Sequence, residues 1–165
     1  MTGILTTSGQ ENLHELVLLR LPELLTVEAR SGHDCVWCLT PLNTTSTIDV
    51  VLMPGAARYR SCSGCYVARL AWAITWRDWY HHTQDCLTCQ HGTVCMVARG
   101  RRAQTARVTV QLGEDLRCTA ACRQPITRAE PALPIVWEGM TACYPGYIHT
   151  HCLPHPTTWN GWWPV

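Results

Sequence analysis

The amino-acid sequence predicts a small α+β protein, with short hairpins arranged around one central helix and a further helix at the N-terminus. Three observations lead there. Eleven cysteines fall within 165 residues, most of them in pairs or triplets a few residues apart. Residues 66–82 have the periodicity of a helix and lie between two of these clusters. Short strand-like runs, broken by Gly or Pro-Gly, fill the intervals between cysteine pairs, as hairpins require.

Composition narrows the class. Hydrophobic residues make up 47% of the chain, enough to bury a core and to argue against global disorder. The formal net charge is +1, and all 13 basic residues are Arg. A near-neutral surface favours a protein partner over nucleic acid. The apolar run 16–27 contains Arg20, Pro22 and Glu23 and is too short to span a bilayer, so no membrane association is expected. Residues 1–10 have neither the basic start nor the apolar core of a secretion signal. A cytoplasmic protein is expected, and there clustered thiols usually bind metal rather than form disulfides.

Along the chain, Leu13, Leu16, Val17, Leu21, Leu24 and Leu25 recur with a helical period over residues 12–29. This segment should cover one face of the central helix, with Pro22 kinking it or starting a second short helix. Cys35 and Cys38 form one Cys-x-x-Cys pair, and Cys62 and Cys65 form another, with 23 residues between the two pairs. Between them, residues 46–53 read as a strand, Pro54-Gly55 as a turn and residues 56–61 as the returning strand. The i, i+3 spacing lets both sulfurs of a pair reach one ion, and the hairpin returns the second pair to complete a tetrahedron of four zinc ligands. The helix that follows points its positive end at Cys62 and Cys65, which favours their thiolates. Within it Val67, Leu70, Ala71 and Ile74 fall on one face and Trp72, Trp76 and Trp79 on nearly the opposite one. Burial on both sides is expected.

His82, Cys86, Cys89 and Cys95 follow as a second predicted ligand set, with His81 or His91 as alternatives to His82. Residues 92–105 read as a short helix that Gly100 ends or bends. Arg99, Arg101, Arg102 and Arg107 on or just past it are candidate phosphate contacts, or else a solvated face. Residues 108–112 read as a strand and residues 113–115 as a loop opening a second unit. The expected division is residues 1–105 and 106–165. In the second unit, Cys118, Cys122, His149 and Cys152 form a third predicted ligand set around a hairpin, with Cys143 and His151 as alternatives. The tail, residues 154–165, holds Trp159, Trp162 and Trp163; these should fold back on the body or present a patch to a partner.

The order knuckle, hairpin, knuckle, helix around Cys35, Cys38, Cys62 and Cys65 resembles zinc-ribbon and treble-clef fingers. The third set resembles LIM-like fingers, although its first pair is spaced x3 where those fingers have x2. Cys86-x2-Cys89-x5-Cys95 is similar to the triplet of WhiB-like proteins, which implies a [4Fe–4S] cluster and a redox- or metal-sensing regulator. The upstream cysteine of that pattern would here be Cys62 or Cys65, and the glycine–tryptophan turn has only Asn160-Gly161-Trp162 to match it.

Catalytic patterns are missing. The sequence contains neither His-Glu-x-x-His nor a deaminase His-x-Glu with Pro-Cys-x-x-Cys, and no phosphate-binding Gly loop or serine-hydrolase elbow. A zinc-binding interaction or regulatory protein with up to three structural ions is therefore expected, not an enzyme. A small-molecule substrate is not expected, and a treble-clef nuclease is the catalytic alternative.

Overall fold

The computed structural model describes residues 13–22, 24–43, 46–51, 58–119, 121–138 and 143–153. The turn expected at Pro54-Gly55 and the Trp-containing tail lie outside them. The described residues form an α+β arrangement of five α-helices, a short 3-10 helix (Thr150–Cys152) and two separate two-stranded antiparallel sheets.

The N-terminal helical pattern resolves into two short helices, α1 (Leu13–Leu18) and α2 (Val27–Arg30). Leu16 and Val17 are buried, whereas Leu24 is 88% exposed and takes no part in a helix face. Thr26 caps α2 by accepting the Ala29 N–H at 3.1 Å. Strand β1 (Thr47–Val51) pairs with β2 (Arg58–Cys62), with Thr47 opposite Cys62. That register delivers Cys62 to the start of α3 (Ser63–Asp85).

Helix α3 is longer than the sequence indicates, because the Cys62 thiol itself caps it. Trp72, Trp76 and Trp79, spaced i, i+4, i+7, are fully buried. The opposite face is not: Val67 and Ile74 are 59% and 45% exposed. This corrects the two-sided burial expected from sequence, since the described elements stack on the tryptophan face. A short helix α4 (Leu87–Gln90) follows, then α5 (Met96–Gln111). Helix α5 runs straight through Gly100 and takes in most of residues 108–112, read above as a strand. Its Thr105 and Thr109 are buried and donate their hydroxyls to the carbonyls of Arg101 and Thr105. Packing overrides β propensity there.

Strands β3 (Ala132–Glu138) and β4 (Cys143–His149) make the second hairpin, with Ala132 opposite His149. It closes over the tryptophan face. Trp72 Nε1 donates to Tyr147 Oη at 2.7 Å and Trp76 Nε1 to the Gly146 carbonyl at 3.1 Å. Trp79 stacks on Tyr147 at 5.9 Å. Burying each such ring contributes roughly 3 kcal/mol, so α3 and this hairpin form the centre of the core. Arg20 lies 4.2 Å over Trp72 and pairs with Glu114, which also pairs with Arg69 at 3.8 Å. Burial lowers the pKa of both guanidinium groups from the usual value, but neither lacks a carboxylate.

Candidate metal centres

Helices α3 and α5 both begin on a cysteine whose sulfur accepts a backbone N–H of the first turn. Cys62 Sγ accepts from Cys65 and Cys95 Sγ from Ala98, each at 3.4 Å. The positive ends of two helices are thus aimed at sulfur. The other candidate ligands are brought to these ends, or to the end of the second hairpin. Three groups result: Cys35, Cys38, Cys62 and Cys65; His82, Cys86, Cys89 and Cys95; and Cys118, Cys122, His149 and Cys152. Within each group the four ligand atoms lie within 4.8 Å of one another.

In the first group a tight knuckle carries Cys35 and Cys38. The Leu39 N–H donates to the Cys35 carbonyl and the Cys35 N–H to the Thr40 carbonyl, each at 2.9 Å. Leu39 pays for this with a left-handed conformation, φ 57°. The Val36 N–H bonds the Arg60 carbonyl of β2, which fixes the knuckle beside the second pair. Cys38 Sγ lies 3.9 Å from Cys62 Sγ and 3.3 Å from the Thr40 hydroxyl.

The second group sits where α3, α4 and α5 meet. His82 comes from the last turn of α3, Cys86 joins α3 to α4, Cys89 lies on α4 and Cys95 caps α5. His82 Nε2 is 3.0 Å from Cys95 Sγ and 3.8 Å from Cys89 Sγ; Cys86 and Cys95 sulfurs are 4.0 Å apart. Of the three candidate histidines, only His82 enters the group. His91 Nδ1 instead sits 2.6 Å from the Leu87 carbonyl, and His81 is exposed.

The third group repeats the first with one more residue in its knuckle. Bridges Asp34 to Pro41 and Arg117 to Pro125 close the two knuckles at equivalent places, one residue before the first cysteine and three after the second. The Cys118 N–H bonds the Gln124 carbonyl, as Cys35 does Thr40, and Arg123 takes the same left-handed conformation as Leu39, φ 59°. The x3 spacing is thus absorbed inside an unchanged frame. His149 Nδ1 lies 3.4 Å from Cys122 Sγ and 3.8 Å from Cys152 Sγ. His151 stays outside the group, stacked on the His149 ring at 4.7 Å. Cys143 is at the far end of β4, six residues and about 20 Å from His149.

Each group contains sulfurs with opposed proton affinities. Burial disfavours the Cys38 thiolate, yet hydrogen bonds from the Thr40 hydroxyl and backbone and from Cys35 and Cys65 bring it down to about 6. Burial and contact with Cys62 and Cys38 push Cys65 up. Burial likewise opposes Cys118, but backbone hydrogen bonds from His149 and Cys122 bring it down to about 6. Burial raises Cys89 and Cys152, each to about 11. Thiols this close share charge and titrate as a set. A cation among them would favour every thiolate at once.

The arginine candidates divide. Arg101 pairs with Asp78 at 3.2 Å, and Arg102 donates to the carbonyls of Thr127, Arg128 and Glu130. These two hold the protein to itself, while Arg99 and Arg107 are exposed. Sequence reasoning missed Thr40 beside Cys38 and Glu130 beside His149. The signal for Glu130 was present: Thr127-x-x-Glu130 is a capping-box pattern, and the carboxylate does accept the Thr127 N–H at 2.8 Å. That hydrogen bond, with the nearby imidazoles, holds Glu130 below its usual pKa.

Comparison with models of known protein families, with curated proteins and with solved structures finds no match to the chain. The chemistry of the three groups is therefore the ground for assigning a function. Among the described residues, no helix is long and apolar enough to cross a membrane.

Proposed function

We propose that the protein binds three zinc ions as structural ions and serves as an interaction module, with the first and third centres built as treble-clef-like units. The observation that carries this reading is the convergence of four thiol or imidazole ligand atoms, within 4.8 Å, at each of three junctions between elements. A single tetrahedral zinc ion, with Zn–S about 2.3 Å and Zn–N about 2.0 Å, holds two sulfurs roughly 3.8 Å apart and a sulfur and a nitrogen roughly 3.5 Å apart. The sulfur pairs stand at 3.9 and 4.0 Å, and the sulfur–nitrogen pairs at 3.0 to 3.8 Å. A four-iron cluster places a cube of iron and sulfide among its thiolates and needs them farther apart. Its fourth cysteine is also replaced here by His82. Four protein ligands per ion leave no position for water or substrate, which is the structural rather than the catalytic pattern.

A protein partner fits better than a nucleic acid. The formal net charge is +1, and Arg101 and Arg102 are engaged within the chain. Val67 and Ile74 on α3, and Leu87, Met96 and Val97 around the second centre, offer exposed apolar contact instead.

Elemental analysis with a visible spectrum, on protein purified without oxygen, tests the metal. Three equivalents of zinc and no colour are expected. Iron with brown colour would reassign Cys86, Cys89 and Cys95 to an iron–sulfur cluster and make redox sensing the function. Metal-free folded protein would overturn both.

A further inference from the structure

His149 poses a requirement that its sulfur neighbours do not meet. The ring is buried, 1% exposed, and turns Nδ1 toward Cys122 and Cys152. If Nδ1 offers its lone pair to an ion, the ring proton must sit on Nε2. Nε2 is itself buried and has no hydrogen-bond partner. A buried N–H without an acceptor is costly. The acidic group facing it is Glu130, with Oε2 3.7 Å from Nε2. His151 covers the face of the ring, with planes 20° apart, and leaves that edge to Glu130.

One hydrogen bond holds the carboxylate, and two sets of contacts hold the loop that bears it. Its Oε2 accepts the Thr127 N–H at 2.8 Å. Arg102, from the second turn of α5, grips the carbonyls of Thr127, Arg128 and Glu130. The Pro131 carbonyl, one residue on, accepts the Thr150 N–H at 3.0 Å, next to ligand His149. The loop 127–131 is thus fastened to α5 on one side and to the ligand-bearing turn on the other.

We propose that Glu130 is the positioning residue of the third centre: its carboxylate accepts the Nε2–H of His149 and so fixes the tautomer that presents Nδ1 to the metal. The proposal rests on the metal reading of that centre. At 3.7 Å the contact is electrostatic, and a shift of less than about 1 Å brings the pair to hydrogen-bond distance. A carboxylate in this role raises the basicity of the imidazole and locks its orientation, and its loss typically weakens metal binding 10- to 100-fold. Helix α5 thereby serves two centres, with Cys95 as ligand to the second and Arg102 as anchor of the Glu130 loop at the third.

The test uses the full-length zinc protein and its Glu130→Gln and Glu130→Ala variants. Zinc affinity of the weakest site is measured by competition with a chromogenic chelator, and the His149 ring by long-range proton–nitrogen NMR. The wild type is expected to load three ions and show His149 as the Nε2–H tautomer with an exchange-protected ring proton. Glu130→Ala should weaken one of the three ions 10- to 100-fold and lose that protection. Glu130→Gln, which keeps the shape and an amide oxygen to accept from Thr127, should fold normally and fall between the two. Unchanged affinity and an unchanged protected ring proton in both variants would overturn the role of Glu130. A wild type that loads two ions, with Cys118, Cys122 and Cys152 open to alkylation, would overturn the metal reading of the third centre itself.

Discussion

A Cβ on Gly146 would overlap Thr119 Oγ1 and stand 3.1 Å from Trp137 Cδ1. The Thr119 hydroxyl cannot retreat freely, because it accepts the Tyr147 N–H at 3.1 Å. The neighbouring Gly146 carbonyl takes the Trp76 indole, so any strand shift is felt in the core. Gly146→Ala should therefore destabilise the metal-loaded protein by about 1–3 kcal/mol, the usual range for overpacking, read by denaturant unfolding. An unchanged midpoint would show that β4 has slack. The three clusters of candidate ligands were legible because sulfur and imidazole at short spacing have few other uses. His82 was harder to choose over its neighbours, since the choice depends on which side of the last turn of α3 meets α5. Glu130 was not singled out because its partner is 19 residues away in sequence. The left-handed conformations of Leu39 and Arg123 were hidden too, since such positions are normally marked by glycine.

For elements, the lesson lies in α5. Gly100 and the β-branched residues Val108, Thr109 and Val110 argue locally against one continuous helix. Its path is decided elsewhere, by the Cys95 cap at its start and by burial of Ala98, Thr105 and Thr109 on a helix that packs on α3. Gly100 has open space where a Cβ would point and serves no turn. Gly100→Ala is expected to stabilise the protein by about 1 kcal/mol, the helix-propensity difference, seen as a raised melting temperature. A lowered one would mean that the helix needs to bend there. Helix α3 shows the converse. Both its faces are apolar in sequence, and only tertiary contact selects the tryptophan one, so Val67 and Ile74 could not be told from core residues by periodicity.

Across the whole molecule, the two long helices link the three centres in series. Helix α3 carries Cys62 and Cys65 at its start and His82 at its end, and α5 starts at Cys95 and reaches the Glu130 loop. A structural zinc ion contributes on the order of 10 kcal/mol to folding, comparable with the net stability of a whole domain. Cys38→Ser should therefore lower zinc content by one equivalent and unfold the segment around the first centre, rather than lower stability by the small amount typical of an exposed position. Full zinc content and an unchanged melting temperature in that variant would remove Cys38 from the ligand set.

The aromatic ladder of α3 has an optical consequence. Trp72 and Trp76 stack at 6.2 Å, Trp76 and Tyr80 at 5.0 Å, with planes 26° and 10° apart. Chromophores this close share their excitation, so the ladder should give a paired band of opposite signs in circular dichroism. Its two indoles also donate to Tyr147 and Gly146 of the hairpin, so the ring geometry, and with it the strength of that band, depends on hairpin and helix being docked. The band thus reports core assembly separately from any signal of the candidate metal centres.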